Sequence, residues 1–269
     1  MKDLLVAVPS RGRPHNVKRL LDSMTATCRG DTTLVLGLDD DDPQLDGYVQ
    51  LMPHAPAGWR PPAGTHGMVT PTDGRAWELE VRSGLRQVVA WINELAVPRV
   101  GKYRYIGHVG DDNTFDTDGW DVEIMEALEK TPFAFGNDYY PRTPGSLCCH
   151  VFTRSEVIRR LGYFGPPEIL HMYVDVAWMA WGRKCGITYL HEVDIPHHHY
   201  TLGHPVDDSY RTSSNLIPSD LERWHDYCNS GHLNEDIVKI DPQAAPFTPA
   251  ELLQFNMGLG IPRHWGTWW

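Results

Sequence analysis

The chain has 269 residues, 41% of them hydrophobic, which is enough for a sizeable core, and an α/β chain of this length is commonly one domain. A formal charge of -11, from 35 acidic against 24 basic residues, argues against a protein whose main task is to hold nucleic acid on a broad basic face, though a local basic groove stays compatible. Cys28, Cys148, Cys149, Cys185 and Cys228 show no CxxC spacing, and no run approaches the ~20 apolar residues of a membrane span, so the expectation is a cytoplasmic protein in a reducing compartment.

Residues 4–8 are continuously apolar and end at Pro9, as expected of a strand covered on both faces. The loop PSRGRP follows, and from His15 the apolar positions Val17, Leu20, Leu21 and Met24 recur at helical spacing. Residues 33–38 read as a second buried strand, ending in the run Asp39, Asp40, Asp41 and Asp42. Pro and Gly crowd residues 43–76, which predicts a long irregular stretch. Helical spacing returns at Leu85, Val88, Val89, Ile92 and Leu95, with Arg82 placed near the start of that helix. A strand over 105–109 then runs into Gly110, Asp111, Asp112 and Asn113.

Further on, the pattern predicts a helix over 120–129 and a strand over 133–135. A capping box from Thr153 to Glu156 opens a helix that stops at Gly162. A helix over 174–181 carries Asp175 near its start, and 187–190 is a strand. Residues 193–196 are strand-like and lead into His197, His198 and His199. Capping patterns at Ser219 to Glu222 and Thr248 to Glu251 predict two C-terminal helices. Alternating strands and helices argue for an open, mainly parallel sheet whose ligands bind at the carboxyl ends of the strands.

Three such ends would meet: Pro9 to Arg13, Asp39 to Asp42, and Gly110 to Asn113. An acidic strand end is by itself compatible with a solvated turn or a helix cap. Two acidic ends beside Arg11 and Arg13 fit better a divalent cation and phosphates, since Mg²⁺ or Mn²⁺ takes oxygen ligands and offsets the crowding of carboxylates.

This succession of a strand with PSRGRP, a strand with LDDDDP, a strand with GDDN and then FDTDGWD resembles a GT-A-fold glycosyltransferase, close to family two and its bacteriophage-encoded relatives, over roughly residues 3–200. The resemblance implies a single domain over 1–269, with a nucleotide-sugar half at about 1–115, an acceptor half at about 116–205 and a helical extension at about 206–269. It makes 110–113 the Asp-x-Asp element. The metal falls to Asp112 first, then Asp111, with Asn113 where a third acid often stands, and His199 or His197 completes the set. Pro9, Ser10, Arg11, Arg13, Asp39, Asp40, Arg82 and Asp111 would contact the nucleotide sugar, and uridine is the commonest base in such enzymes.

Many family-two enzymes carry Glu-Asp followed eleven residues later by Gly, and the interval from Asp175 to Gly186 matches, with Val174 at the Glu position. Asp175 is then the general base on an acceptor hydroxyl or, if configuration is retained, a stabiliser of the transition state; a simple helix cap is the competing role. The reading is transfer from a UDP-sugar, with Mn²⁺ or Mg²⁺, to an acceptor among modified DNA, a protein, a glycan or a small molecule. A strip of His198, Arg211, Arg223 and Arg263 would serve the DNA case, and Trp265, Trp268 and Trp269 would line an acceptor wall or pack on the sheet. Nucleotidyl transfer to a sugar phosphate and a non-catalytic binding module are the alternatives.

Overall fold

The computed structural model describes residues 2–51, 66–69, 77–83, 87–138, 149–198 and 208–262. The apolar run near the start becomes β1 (Lys2–Ser10). Leu4, Val6 and Val8 enter one core layer while Leu5 and Ala7 enter the other. A strand with both faces covered needs no polar alternation.

Around it the chain builds α1 (Pro14–Thr27), β2 (Thr32–Asp39), α2 (Leu45–Val49), β3 (His66–Val69) and β4 (Trp77–Arg82). Next come α3 (Val88–Ala96), β5 (Tyr103–His108), α4 (Trp120–Lys130), β6 (Phe133–Asn137), β7 (Val151–Arg154) and α5 (Ser155–Leu161). The remainder is α6 (Val174–Cys185), β8 (Ile187–Asp194), α7 (Asp208–Ser214), α8 (Ile217–Asn229), α9 (His232–Ile240) and α10 (Pro249–Gly258).

The eight strands form one sheet in the order β3-β4-β2-β1-β5-β7-β6-β8. β4, β2, β1 and β5 run parallel, as do β6 and β8, whereas β7 lies antiparallel between β5 and β6, and β3 is antiparallel on the outer edge. Residues of α1, α2 and α4 pack on one face, and those of α3, α5, α6, α8 and α9 on the other. Because β1 sits between β2 and β5 with all three parallel, their carboxyl ends share one edge, where an open α/β sheet leaves a crevice.

Several elements differ from the sequence-based expectation. Residues 77–82 alternate Trp77, Leu79 and Val81 with Glu78, Glu80 and Arg82, and they pair with β2 as a strand. Arg82 therefore closes a strand instead of opening a helix. The irregular region also holds α2 and β3. Thr153 does not cap α5, because its hydroxyl donates to the Pro132 carbonyl at 2.8 Å and Glu156 pairs with Arg159 and Arg160. Gly162 does end that helix, with φ +87°. Ser219 lies inside α8, its hydroxyl donating back to the Leu216 carbonyl at 3.0 Å. The box at Thr248 forms completely, with both Thr248 N to Glu251 Oε2 at 2.8 Å and Glu251 N to Thr248 Oγ1 at 3.2 Å. Among the described residues the C-terminal part holds four helices, not two.

Candidate functional site

The loop after β1 is shaped by the acidic run after β2. Gly12 takes φ +70°, a conformation that suits glycine, and its N–H donates to Asp42 Oδ2 at 2.8 Å. The second oxygen of Asp42 accepts from Gln44 N at 2.7 Å. Asp39 is also committed: Arg11 Nη1 reaches one oxygen at 3.2 Å and Trp91 Nε1 donates to the other at 3.2 Å. Trp91 can approach because Gly37 has no side chain; a Cβ there would meet the indole at 2.6 Å. Arg11 also pairs with the exposed Asp41 at 2.6 Å. Asp40 is fastened through its backbone, its N–H donating to the Arg82 carbonyl at 2.8 Å, while the Arg82 guanidinium bonds Glu80. Pro9 lies within β1 opposite Gly37.

At the end of β5, Asp111 and Asp112 are both buried. Ser10 Oγ donates to Asp111 Oδ2 at 2.5 Å and Arg13 Nη1 to Asp111 Oδ1 at 3.1 Å, with Asp112 Oδ2 at 3.6 Å from the same nitrogen. Tyr48 ties this corner together, because its hydroxyl lies 2.8 Å from Ser10 Oγ and accepts from Arg13 N at 2.8 Å. Arg13 is thus the internal counter-ion of the acidic pair. His197 Nε2 stands 3.2 Å from Asp112 Oδ1, and the Tyr210 hydroxyl donates to Asp112 Oδ2. The Tyr210 ring stacks on the Arg13 guanidinium, 4.4 Å from its centre.

The electrostatics follow from this crowding. Burial and the neighbouring Asp112 charge raise the Asp111 pKa. Burial also opposes the charge of Asp112, but hydrogen bonds from His197 and Tyr210 and the charges of His197 and Arg13 outweigh it, so its pKa is lowered. Burial works against a charged His197, yet its hydrogen bonds with Asp112 and Cys149 raise its pKa. Two adjacent carboxylates therefore divide into one that holds charge readily and one that holds it poorly.

His197 reaches Asp112 because the acidic turn is stitched to the segment after β8. Asn113, with no solvent exposure, donates through Nδ2 to the carbonyls of Ile195 at 3.2 Å and Pro196 at 3.3 Å, and accepts from Gly110 N at 2.9 Å. His198 N donates to the Asp112 carbonyl at 2.9 Å. With its amide engaged this way, Asn113 is a structural staple, and its assignment to the metal does not fit.

A divalent ion fits Asp112 with His197. Ligands about 2.1 Å from an octahedral ion and adjacent to one another lie about 3 Å apart, close to the observed 3.2 Å between Nε2 and Oδ1. A carboxylate with an imidazole suits Mn²⁺. Among the described residues no group of three or more His, Cys, Asp or Glu side chains gathers to hold a metal. The other positions would fall to phosphates and water, as is usual for Mg²⁺.

Asp175 lies in the first turn of α6, half-buried, with Oδ1 accepting from Val176 N at 2.9 Å. The loop before it is bound from α8: Asp220, fully buried, accepts from His171 N and Met172 N, both at 2.8 Å, and from Leu170 N at 3.3 Å. Tyr173 then takes φ +68°, unusual for a tyrosine, and starts α6. Burial lowers the His171 pKa, with the charges of Asp220, Arg13 and Asp112 as lesser influences.

His199, Arg263 and the three terminal tryptophans lie outside the described residues. Of the basic strip, His198 Nε2 is 3.0 Å from Thr114 Oγ1, Arg223 bonds the Glu168 carbonyl at 3.2 Å and Arg211 is exposed. Tyr48, Tyr210, His171 and Asp220 were not legible as site residues, since the contacts that define them span tens of residues.

No protein-family model matches the chain, and no curated protein matches it in sequence. Solved structures do match in fold. S. aureus TarS 1-349 superposes with a TM-score of 0.56 at 11% identity, over 96% of this chain and 70% of that one. The same protein in complex with UDP-GlcNAc gives 0.54 at 10% identity, over 96% and 70%. A mannosyltransferase from Pyrobaculum calidifontis, in complex with GDP-Man and Mn²⁺, gives 0.54 at 11% identity, over 98% and 83%. The expected GT-A-type α/β fold is the fold found.

Proposed function

We propose that the chain is a metal-dependent glycosyltransferase that moves a sugar from a nucleoside-diphosphate sugar, most simply a UDP-sugar, to an acceptor hydroxyl. The observation that carries this is the buried pair Asp111 and Asp112 at the shared edge of β1, β2 and β5, with His197 Nε2 3.2 Å from Asp112 Oδ1. Burying two adjacent carboxylates is costly without cations; Arg13 supplies one positive charge, and an ion held by Asp112 and His197 would supply the rest. Neighbours of the same fold were solved with UDP, UDP-GlcNAc, or GDP-Man and Mn²⁺, which supports a nucleotide-sugar donor and a divalent ion here.

In this reading Asp112 and His197 hold Mn²⁺ or Mg²⁺. When bound there, such an ion would supply positive charge to offset the negative charge that develops on the departing diphosphate. Ser10 and Arg13 keep Asp111 and Asp112 aligned, and Arg11, held by Asp39 and Asp41, presents its guanidinium beside the donor phosphates. The loop from Pro9 to Arg13 and the end of β2, with Asp39 and Asp40, border the nucleoside, and Arg82 closes the neighbouring strand end. Asp175 takes the proton of the acceptor hydroxyl as it attacks the anomeric carbon. Modified DNA, proteins, glycans and small molecules remain the acceptor classes.

Incubation with Mn²⁺ and a panel of UDP- and GDP-sugars tests the proposal, because a transferase releases free nucleoside diphosphate through slow transfer to water. Release of pyrophosphate instead would establish nucleotidyl transfer. That second reading lacks support in PSRGRP, which has neither a lysine nor repeated glycines for a triphosphate. Donor binding with no turnover would leave a binding module.

A further inference from the structure

We infer that Tyr210 is a positioning residue of the metal site, holding Asp112 so that one chosen oxygen faces His197. The inference rests on the metal reading above and adds to it a residue from α7, 98 positions away from Asp112 in the chain.

The two oxygens of Asp112 are sorted by their neighbours. Oδ2 receives the Tyr210 hydroxyl, while Oδ1 lies 3.2 Å from His197 Nε2, the separation that suits two adjacent ligands of one ion. A carboxylate left with one oxygen toward an ion swings about its last bond unless the other oxygen is held, and outer hydrogen bonds of this kind orient metal ligands. Tyr210 is itself held, since its ring stacks on Arg13, and Arg13 Nη1 is fastened to Asp111 at 3.1 Å. Along α7, Arg211, Thr212 and Ser214 are exposed, whereas Tyr210 is half-buried and turned into the site. The region after β8 thereby supplies a hydroxyl that completes the geometry of the acidic turn.

The test is Mn²⁺ affinity, read from the electron paramagnetic resonance signal of free Mn²⁺ with saturating UDP, and again with GDP, for the wild type, Tyr210→Phe, Tyr210→Ala and Asp112→Asn. Thermal unfolding of each variant confirms that it is folded. Tyr210→Phe keeps the ring on Arg13 and removes only the hydroxyl. It should weaken Mn²⁺ binding by about 10- to 100-fold, close to the effect of Tyr210→Ala, while Asp112→Asn abolishes binding. Unchanged or tighter binding in Tyr210→Phe overturns the inference, and wild-type affinity in Tyr210→Phe beside weak binding in Tyr210→Ala does so by showing that the ring merely docks α7. Wild-type affinity in Asp112→Asn instead refutes the metal reading itself, and the inference with it.

Discussion

Replacing Asp220 by alanine should loosen the loop that delivers Asp175, and the structure sets the size of the effect. The carboxylate is fully buried and accepts two short backbone bonds at 2.8 Å and a longer one at 3.3 Å. Hydrogen bonds to a charged group contribute about 1.5–3 kcal/mol each, so the two short ones amount to roughly 3–6 kcal/mol. Relief of the buried charge returns part of this, leaving a net loss of about 3 kcal/mol, a large share of the ~5–15 kcal/mol typical of a folded domain. Both short bonds end on the same oxygen, Oδ2. Asn with its carbonyl at that place keeps them, and Asp220→Asn should therefore cost only about 1 kcal/mol. Urea unfolding followed by tryptophan fluorescence measures both. Donor turnover under folding conditions should fall further in the alanine variant, because Tyr173 at φ +68° and Asp175 lie directly after the freed residues. An alanine variant less than about 1 kcal/mol below wild type, or equal costs for alanine and asparagine, would refute the assigned geometry.

Asp112→Asn keeps the shape of a side chain on which Arg13, His197 and Tyr210 converge, and should cut Mn²⁺-dependent donor turnover by more than about 100-fold with the fold retained, as circular dichroism and a turnover assay would show. Asp175→Asn should leave donor affinity unchanged and lower transfer by about 10²- to 10⁴-fold, checked by calorimetry beside product formation; full activity would reduce Asp175 to a helix cap. Burial lowers the His108 pKa from 6.5 to about 4. Below pH 6.5 the unfolded chain binds a proton that the native chain refuses until about pH 4, so stability is full above 6.5 and falls by up to about 3 kcal/mol across that window. His108→Gln should flatten this slope in urea titrations run from pH 7 to 4.

Much of the scaffold was readable because its signals are local. The continuous apolar runs of β1 and β2 could only be strands covered on both faces, and the three strand ends meet where a parallel arrangement brings them. Short elements were hidden: β7 has four residues and lies antiparallel between strands that it follows in sequence, so no periodicity announced it. Capping patterns failed where a competing partner took the hydroxyl, as Pro132 does with Thr153, and held where none did, as at Thr248. In the site, Asp111, Asp112, Ser10 and Arg13 were legible as residue types at strand ends. The commitment of Asn113 to backbone, and the arrival of Tyr210 and Asp220 from late helices, depend on tertiary packing that no short window encodes.

Diffraction at the manganese edge from crystals soaked with UDP and Mn²⁺ is the most direct measurement. The account predicts an anomalous peak about 2.2 Å from both Asp112 Oδ1 and His197 Nε2, with UDP at the ends of β1, β2 and β5. A manganese ion bound elsewhere, or UDP seated away from the ends of β1, β2 and β5, would contradict it.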